Sequence, residues 1–133
     1  MANWSGTCRS NYFRVKDEPA FLAMLEKFDI ELLRKDDMFS FISDNEYGSV
    51  PDFWDEDKPE DDPISIIDLI GEHLAENSVC VIQESGAEKA RYVTGHATAI
   101  AWTGEITSIS LNDIYAKAQE EFGGDAQITE AIY

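Results

Sequence analysis

The amino-acid sequence predicts an α+β fold: one domain over residues 1–133, built on a mainly antiparallel sheet of about six strands. About three helices pack on it, and a long acidic loop occupies the middle. Three observations lead there. Strand-like windows come in consecutive groups, β-α-β-β early in the chain and three in a row late. The turn signals Asp36-Asp37, SGAEKA and Thr103-Gly104 separate apolar runs close enough to pair as hairpins. A length of 133 residues, 44% of them hydrophobic, with fifteen aromatics, suits a single domain of about 100 to 150 residues with a real core.

In chain order, RSNYFRVK (9–16) reads as a strand with alternating faces. DEPAFLAMLEKF (17–28) reads as a helix whose start is marked by Asp17 and Pro19 and whose buried stripe is Phe21, Leu25 and Phe28. IELLRK and MFSFIS, either side of Asp36-Asp37, form a hairpin with Phe39 and Phe41 on one face. Residues 44–62 read as a loop, because Pro51, Pro59 and Pro63 exclude a helix or a central strand. Pro63 suits the first turn of a helix PISIIDLIGEHLAEN (63–77), with Asp62 as N-cap and Ile67, Ile70 and Leu74 facing inward. Asp68, Glu72 and Glu76, at spacing four, extend the acid surface along its outer face. SVCVIQE, RYVTGHATAIAW and EITSISL follow as antiparallel strands. NDIYAKAQEEF is a last helix, capped by Ser110 with Asp113 and stopped at Gly123-Gly124. Residues 124–133 read as a loose tail, and no internal repeat is visible.

The charge is large and uneven. Net −17 arises from 27 acids against 10 bases, and residues 44–76 hold −11 of it, with 12 acids and 1 base. Such a balance disfavours direct binding to a phosphate backbone or to an anionic membrane surface. No run approaches the ~18 apolar residues of a membrane span. The start MANWSGTCRSNYF lacks a basic segment followed by an apolar one, so no secretory signal is expected. With two cysteines only, the expected setting is reduced and cytoplasmic.

Residues able to carry chemistry are few. His73 and His96 lie at no metal-ligand spacing to each other or to a cysteine; His96 reads as half-exposed on its strand and His73 as facing water at a helix boundary. Cys80, between Val79, Val81 and Ile82, reads as inert packing, and Cys8, beside Arg9, as a spare surface thiol with no base to complete a nucleophilic pair. DEDKPEDDP superficially matches a calcium loop, but from Asp55 the fifth position is Pro59, the sixth is Glu60 where glycine is needed, and the twelfth is Ile66 where glutamate is needed. No GxGxxG, GxxxxGK[ST], GxSxG or HExxH occurs, so no enzyme activity, cofactor or metal is expected. Glu88, Lys89 and Arg91 crowd a turn in SGAEKARY and read as a solvated hairpin tip with self-neutralising charges.

What remains is PDFWDEDKPEDDP (51–63), with seven carboxylates, one lysine and two aromatics between prolines. Three readings compete. The acids serve solubility and have no target. Alternatively they imitate the phosphate array of a nucleic acid, where duplex DNA carries about one charge per 1.7 Å, and occupy the basic cleft of a nucleic-acid-binding protein. Or the protein is an adaptor that presents the loop to a basic partner, or that binds a metabolite in its sheet. Phe53 and Trp54 favour a contact surface, since aromatics are costly in a solvated linker and common as interface anchors. Tyr47 and Trp54 folding back onto the domain is the competing account.

RSNYFRVKD (9–17) and GAEKARYVTGHATAIAWTGEITSISLNDIYAKA (86–118), about a third of the chain, resemble a group of small acidic proteins carried by plasmids, phages and other mobile elements, largely of unassigned function. Its motifs carry no catalytic or ligand role. That setting, by analogy of size and charge, is similar to the one of anti-CRISPR and anti-restriction proteins, several of which are acidic DNA mimics. The resemblance implies a non-enzymatic inhibitor of a host nucleic-acid-binding defence complex, a monomer or homodimer without a direct nucleic-acid or membrane partner. The contact residues expected on this reading are Asp52, Asp55, Glu56, Asp57, Glu60, Asp61 and Asp62 as phosphate surrogates, Asp68, Glu72 and Glu76 as a rigid continuation, and Trp54 as anchor.

Overall fold

A computed structural model describes residues 4–45, 47–58, 60–89 and 91–131. The elements in order are β1 (Trp4–Ser10), α1 (Glu18–Leu25), β2 (Ile30–Lys35), β3 (Met38–Ser43), β4 (Asp52–Phe53), β5 (Ile64–Ser65) and α2 (Ile66–Ile70). After α2 come a 3₁₀ turn (Gly71–His73), β6 (Val79–Glu88), β7 (Tyr92–Ala101), β8 (Ile106–Ser110) and α3 (Asp113–Phe122). Six strands form one antiparallel sheet in the order β2-β3-β1-β6-β7-β8, and β4 and β5 form a separate two-strand ladder. The fold is the α+β arrangement expected.

Alternation along the strands turns Cys8, Phe39, Phe41, Cys80, Ile82 and Ile100 to one face, where they meet Phe21 and Leu25 of α1 and Ile66 and Ile70 of α2. Phe21 stands at the centre, its ring 5.7 Å from that of Phe13 and 5.2 Å from that of Phe39. Asp17 caps α1 by accepting from the Ala20 amide at 3.1 Å, as the sequence indicates. The hairpin of β2 and β3 pairs Ile30 with Ser43 through Lys35 with Met38, and Asp36 takes φ +56° at its tip.

Four local expectations are corrected. The first strand is Trp4–Ser10 rather than residues 9–16: at Asn11 the side-chain amide takes over the ladder, donating to the Val79 carbonyl at 3.1 Å and accepting from the Val81 amide at 2.7 Å. Beyond it only Phe13 and Val15 make isolated bridges, to Phe39 and Leu74. The second helix starts at Ile66 and not at Pro63, because Ile64 and Ser65 are committed to β5. Ser65, rather than Asp62, is the N-cap, accepting from Ile67 while Asp68 accepts from the Ser65 amide. That helix also ends early, at Ile70, where the chain tightens to 3₁₀ geometry and Leu74 joins Val15.

The third correction concerns SGAEKA, which is not a turn as a whole: β6 runs through to Glu88, and the reversal falls at Lys89, with φ +51°, and Arg91; Ala90 lies outside the described residues. Gly86 is a glycine because the Trp4 ring lies over it, and a Cβ would run into the ring. The fourth concerns α3, closed at Gly123 as expected: its N-cap is Asn112, without a side-chain cap bond, rather than Ser110, whose amide instead donates to Asp113 at 2.7 Å, and none of the helix's residues is fully buried. Residues 124–131 carry no helix or strand, although the Ala131 amide donates to the Tyr115 hydroxyl at 2.7 Å; Ile132 and Tyr133 lie outside the described residues.

Candidate partner-binding surface: the acidic loop

One proline, Pro51, and one close contact between two glycines, Gly48 and Gly6, shape the approach to the loop. After β3, Asn45 ties the chain into a turn by exchanging bonds with Ser49, and Gly48, at φ +60°, lies so close to Gly6 that a Cβ would run into its main chain. The Trp4 indole donates to the Tyr47 carbonyl at 3.3 Å, and the Val50 amide donates to the Glu84 carboxylate at 3.2 Å. Pro51 is buried, and its carbonyl accepts from Ile66 at 3.0 Å. The loop therefore grows from a fixed base.

That base is closed by the β4–β5 ladder, which pairs Asp52 with Ser65 and Phe53 with Ile64. Phe53 turns inward, edge-on to Phe28 with ring centroids 5.1 Å apart, and Lys27 Nζ sits 5.2 Å from its other side. Its neighbour Trp54 turns outward and is 60% exposed. Of the two aromatics, then, Phe53 pins the loop and Trp54 is presented. Tyr47 is exposed as well, so the competing account, in which Tyr47 and Trp54 fold back onto the domain, does not hold, and Phe53 is the ring that turns inward.

Between the rungs lie the carboxylates. Asp55 is half-buried because it organises a turn: its carboxylate accepts from the Asp57 amide and its carbonyl from Lys58, both at 3.0 Å. Asp52, Glu56, Asp57, Glu60, Asp61 and Asp62 are all exposed, and Pro59 lies outside the described residues. Asp68 is exposed but serves as the N3 residue of the α2 capping box, accepting from the Ser65 amide. Glu72 falls in the 3₁₀ turn, 3.8 Å from His73 Nε2, and Glu76 follows Leu74 in irregular chain. These three do not form a row on one helix: α2 stops before Glu72, so the rigid continuation expected from the spacing is replaced by three separately placed acids.

Other predicted chemistry resolves as follows. His73 does not face water; it is largely buried beside Phe21, with ring centroids 6.3 Å apart, and its carbonyl accepts from Lys16. His96 is 56% exposed, its Nδ1 3.7 Å from Glu84. Cys8 is not a surface thiol: strand alternation turns it into the core and sends Arg9 to the opposite face, where Arg9 donates to Ser40. Burial pushes both thiols up to about 12, helped by Glu84 at Cys8 and by Cys8 at Cys80. Among the described residues no group of three or more His, Cys, Asp and Glu is placed to hold a metal ion, and no helix is long and apolar enough to cross a membrane.

Sequence reasoning missed Glu84. It is an acid at an inward position of β6, between Ile82 and Gly86, and that break in the apolar alternation was its visible signal. On the far side of the sheet from the core lies a groove of about 410 Å³, lined by Thr7, Arg9, Gln83, Ala97, Ile109 and Leu111 among others. Compared with protein-family models, with curated proteins and with solved structures, the chain matches none.

Proposed function

We propose that the protein is a non-enzymatic inhibitor of the anti-CRISPR or anti-restriction type, which blocks the nucleic-acid-binding site of a defence complex with its acidic loop. The observation that supports this reading most directly is the division of labour at Phe53 and Trp54: a large indole left exposed among exposed carboxylates on a base held by two β rungs and an aromatic contact. A solubility tract needs neither the indole nor the clamp. In this role Asp52, Asp55, Glu56, Asp57, Glu60, Asp61 and Asp62 stand in for phosphates, and Trp54 supplies the desolvated anchor that interfaces draw most of their affinity from. Asp68, Glu72 and Glu76 add long-range field. The −11 of residues 44–76 steers the loop toward a basic cleft, an attraction that weakens as salt shortens the screening length from about 10 Å at 0.1 M.

The test is a tagged pull-down from bacterial lysate, washed at about 0.1 M and then about 0.5 M salt. The expected result is salt-released capture of a nucleic-acid-binding protein or complex, with duplex DNA competing for it. In parallel, Asp55, Glu56, Asp57 and Glu60 are changed together to lysine; capture is then lost while the melting temperature hardly moves, because these side chains contribute nothing to the core. Retained capture by that variant sinks the proposal, and a clean lane returns the acids to solubility.

A further inference from the structure

We propose that two copies of the chain pair reciprocally, the α3 helix of each lying on the open sheet face of the other. The first ground is an amphipathic helix without a core. Ile114, Ala118 and Phe122 fall in one stripe at helical spacing, with Lys117, Glu120 and Glu121 on the remaining surface. Ile114 is 56% and Phe122 74% exposed. A ten-residue helix is marginal alone and takes its stability from packing an apolar face, yet none of this one's residues is fully buried, and only Tyr115, Ala118 and Gln119 are half-buried. Its own sheet receives only Leu111, which lies against Gly95 just before the helix. Only Leu111 and Asn112 connect β8 to α3, and that link is pinned by the Ser110 amide on Asp113 at 2.7 Å and the Leu111 amide on Gly95 at 2.9 Å.

The second ground is a sheet face without a cover. α1 and α2 both lie on the core side. On the other side the register aligns Val81 with Ala99 and Ala97 with both Gln83 and Ile109. This surface includes Val93, 57% exposed, and Ile109, 67% exposed. The small side chains of β7 there, Ala97 and Ala99, leave room for a helix to approach beside Leu111, which already covers Gly95. The groove of about 410 Å³ already marks the hollow.

Charge decides the occupant. In a chain with 27 acids, none of the residues that β1, β6, β7 and β8 turn to this face is aspartate or glutamate; its one charged residue is Arg9. Two molecules of net −17 repel wherever carboxylates meet, and the β1, β6, β7 and β8 part of this face presents none, the acid of the face being Glu31 on the outer strand β2. A helix of ten residues is about 15 Å long and 10 Å wide, so two reciprocal contacts conceal on the order of 600 Å² in all, the scale of a weak, concentration-dependent pairing. A two-fold pairing of this kind is self-complementary and closes without leaving a free copy of either surface. It stands independently of any role for the acidic loop, which lies outside both surfaces.

The experiment is equilibrium sedimentation of the full chain at up to roughly 100 μM, since pairing depends on protomer concentration. The expected mass is twice the 15.0 kDa of one chain. Two variants follow, Ile114→Asp with Phe122→Asp on the helix and Ala97→Glu on the sheet, each expected to sediment as a single chain with an unchanged far-ultraviolet spectrum. A single-chain mass for the unaltered protein overturns the proposal. So does a dimer that survives the sheet variant, which would show helices pairing with each other, or one that survives the helix variant, which would show strands pairing edge to edge.

Discussion

Phe53 stands at right angles to Phe28, ring edge to ring face, with centroids 5.1 Å apart. One ring belongs to the two-residue strand that opens the acidic loop and the other to the turn after α1, so the contact ties the most charged part of the chain to the edge of the core. A carboxylate-rich segment has little apolar surface of its own to bury. Here a single inward side chain supplies it, backed by the ladder to Ile64.

Phe53→Ala removes that contact and the Lys27 ammonium seat on the ring. Phe53 is half-buried, so the expected cost is about 2 kcal/mol, below the roughly 3 to 5 kcal/mol of a fully buried phenylalanine. Urea unfolding measures it, and amide exchange at Ile64 and Ser65 should speed up by more than exchange in β6. Equal acceleration everywhere would show that the ring supports the whole domain and not the loop base.

Gly48→Ala tests the other anchor. The residue combines φ +60° with main-chain contact to Gly6. The strain of a side chain at positive φ alone is of order 1 to 3 kcal/mol, and displacement of Gly6 disturbs β1. A variant as stable as the original protein would mean that the chain from Asn45 to Val50 moves freely on the sheet.

The buried thiols give the fold an alkaline limit. Cys8 and Cys80 hold their protons up to about 12 in the folded state, against 9.0 ordinarily, so above pH 9 the unfolded chain binds fewer protons than the folded one. Stability is then fully present below pH 9 and falls between about pH 9 and 12, by up to about 1.4 kcal/mol per pH unit for each thiol. The double variant Cys8→Ala, Cys80→Ala should show a shallower alkaline decline in denaturant midpoint. Parallel curves would mean that the thiols ionise in place.

Cys80→Asp puts a carboxylate at a position with no exposure, between Ile100 on β7 and the α2 side of the core. The penalty for an unpaired buried charge is several kcal/mol, enough to unfold a small domain. Circular dichroism at neutral pH should show loss of structure, partly recovered on acidification as the acid takes up a proton. A folded variant at neutral pH would place the residue outside the core.

Legibility in the sequence followed the range of the forces. The β2–β3 hairpin, the Asp17 cap, the Gly104 turn and the end of α3 at Gly123 are set by neighbours a few residues apart, and each stands where the sequence indicates. The misplaced boundaries all depend on a distant partner. Gly86 resembles a turn residue until Trp4 is laid over it, Ser65 outcompetes Asp62 as a cap because Asp52 claims Ser65 in a ladder, and Asn11 ends β1 by pairing with residues some seventy positions away. At the candidate surface the acids were visible as composition. Which aromatic would be buried was not, since Phe53 and Trp54 are adjacent and only the position of Phe28 decides between them.

The two-rung ladder at Asp52 and Phe53 separates what is displayed from what does the holding. The ten residues from Trp54 to Pro63 are bounded by a closed clamp, and lengthening such a stretch raises the closure cost only logarithmically, by about 0.6 kcal/mol for a doubling. Substitutions and insertions there leave Phe21, Phe41 and Ile82 untouched. The tip can thus diverge quickly under selection while the scaffold beneath it stays constant, which is the arrangement expected of a surface that must keep pace with a changing opponent.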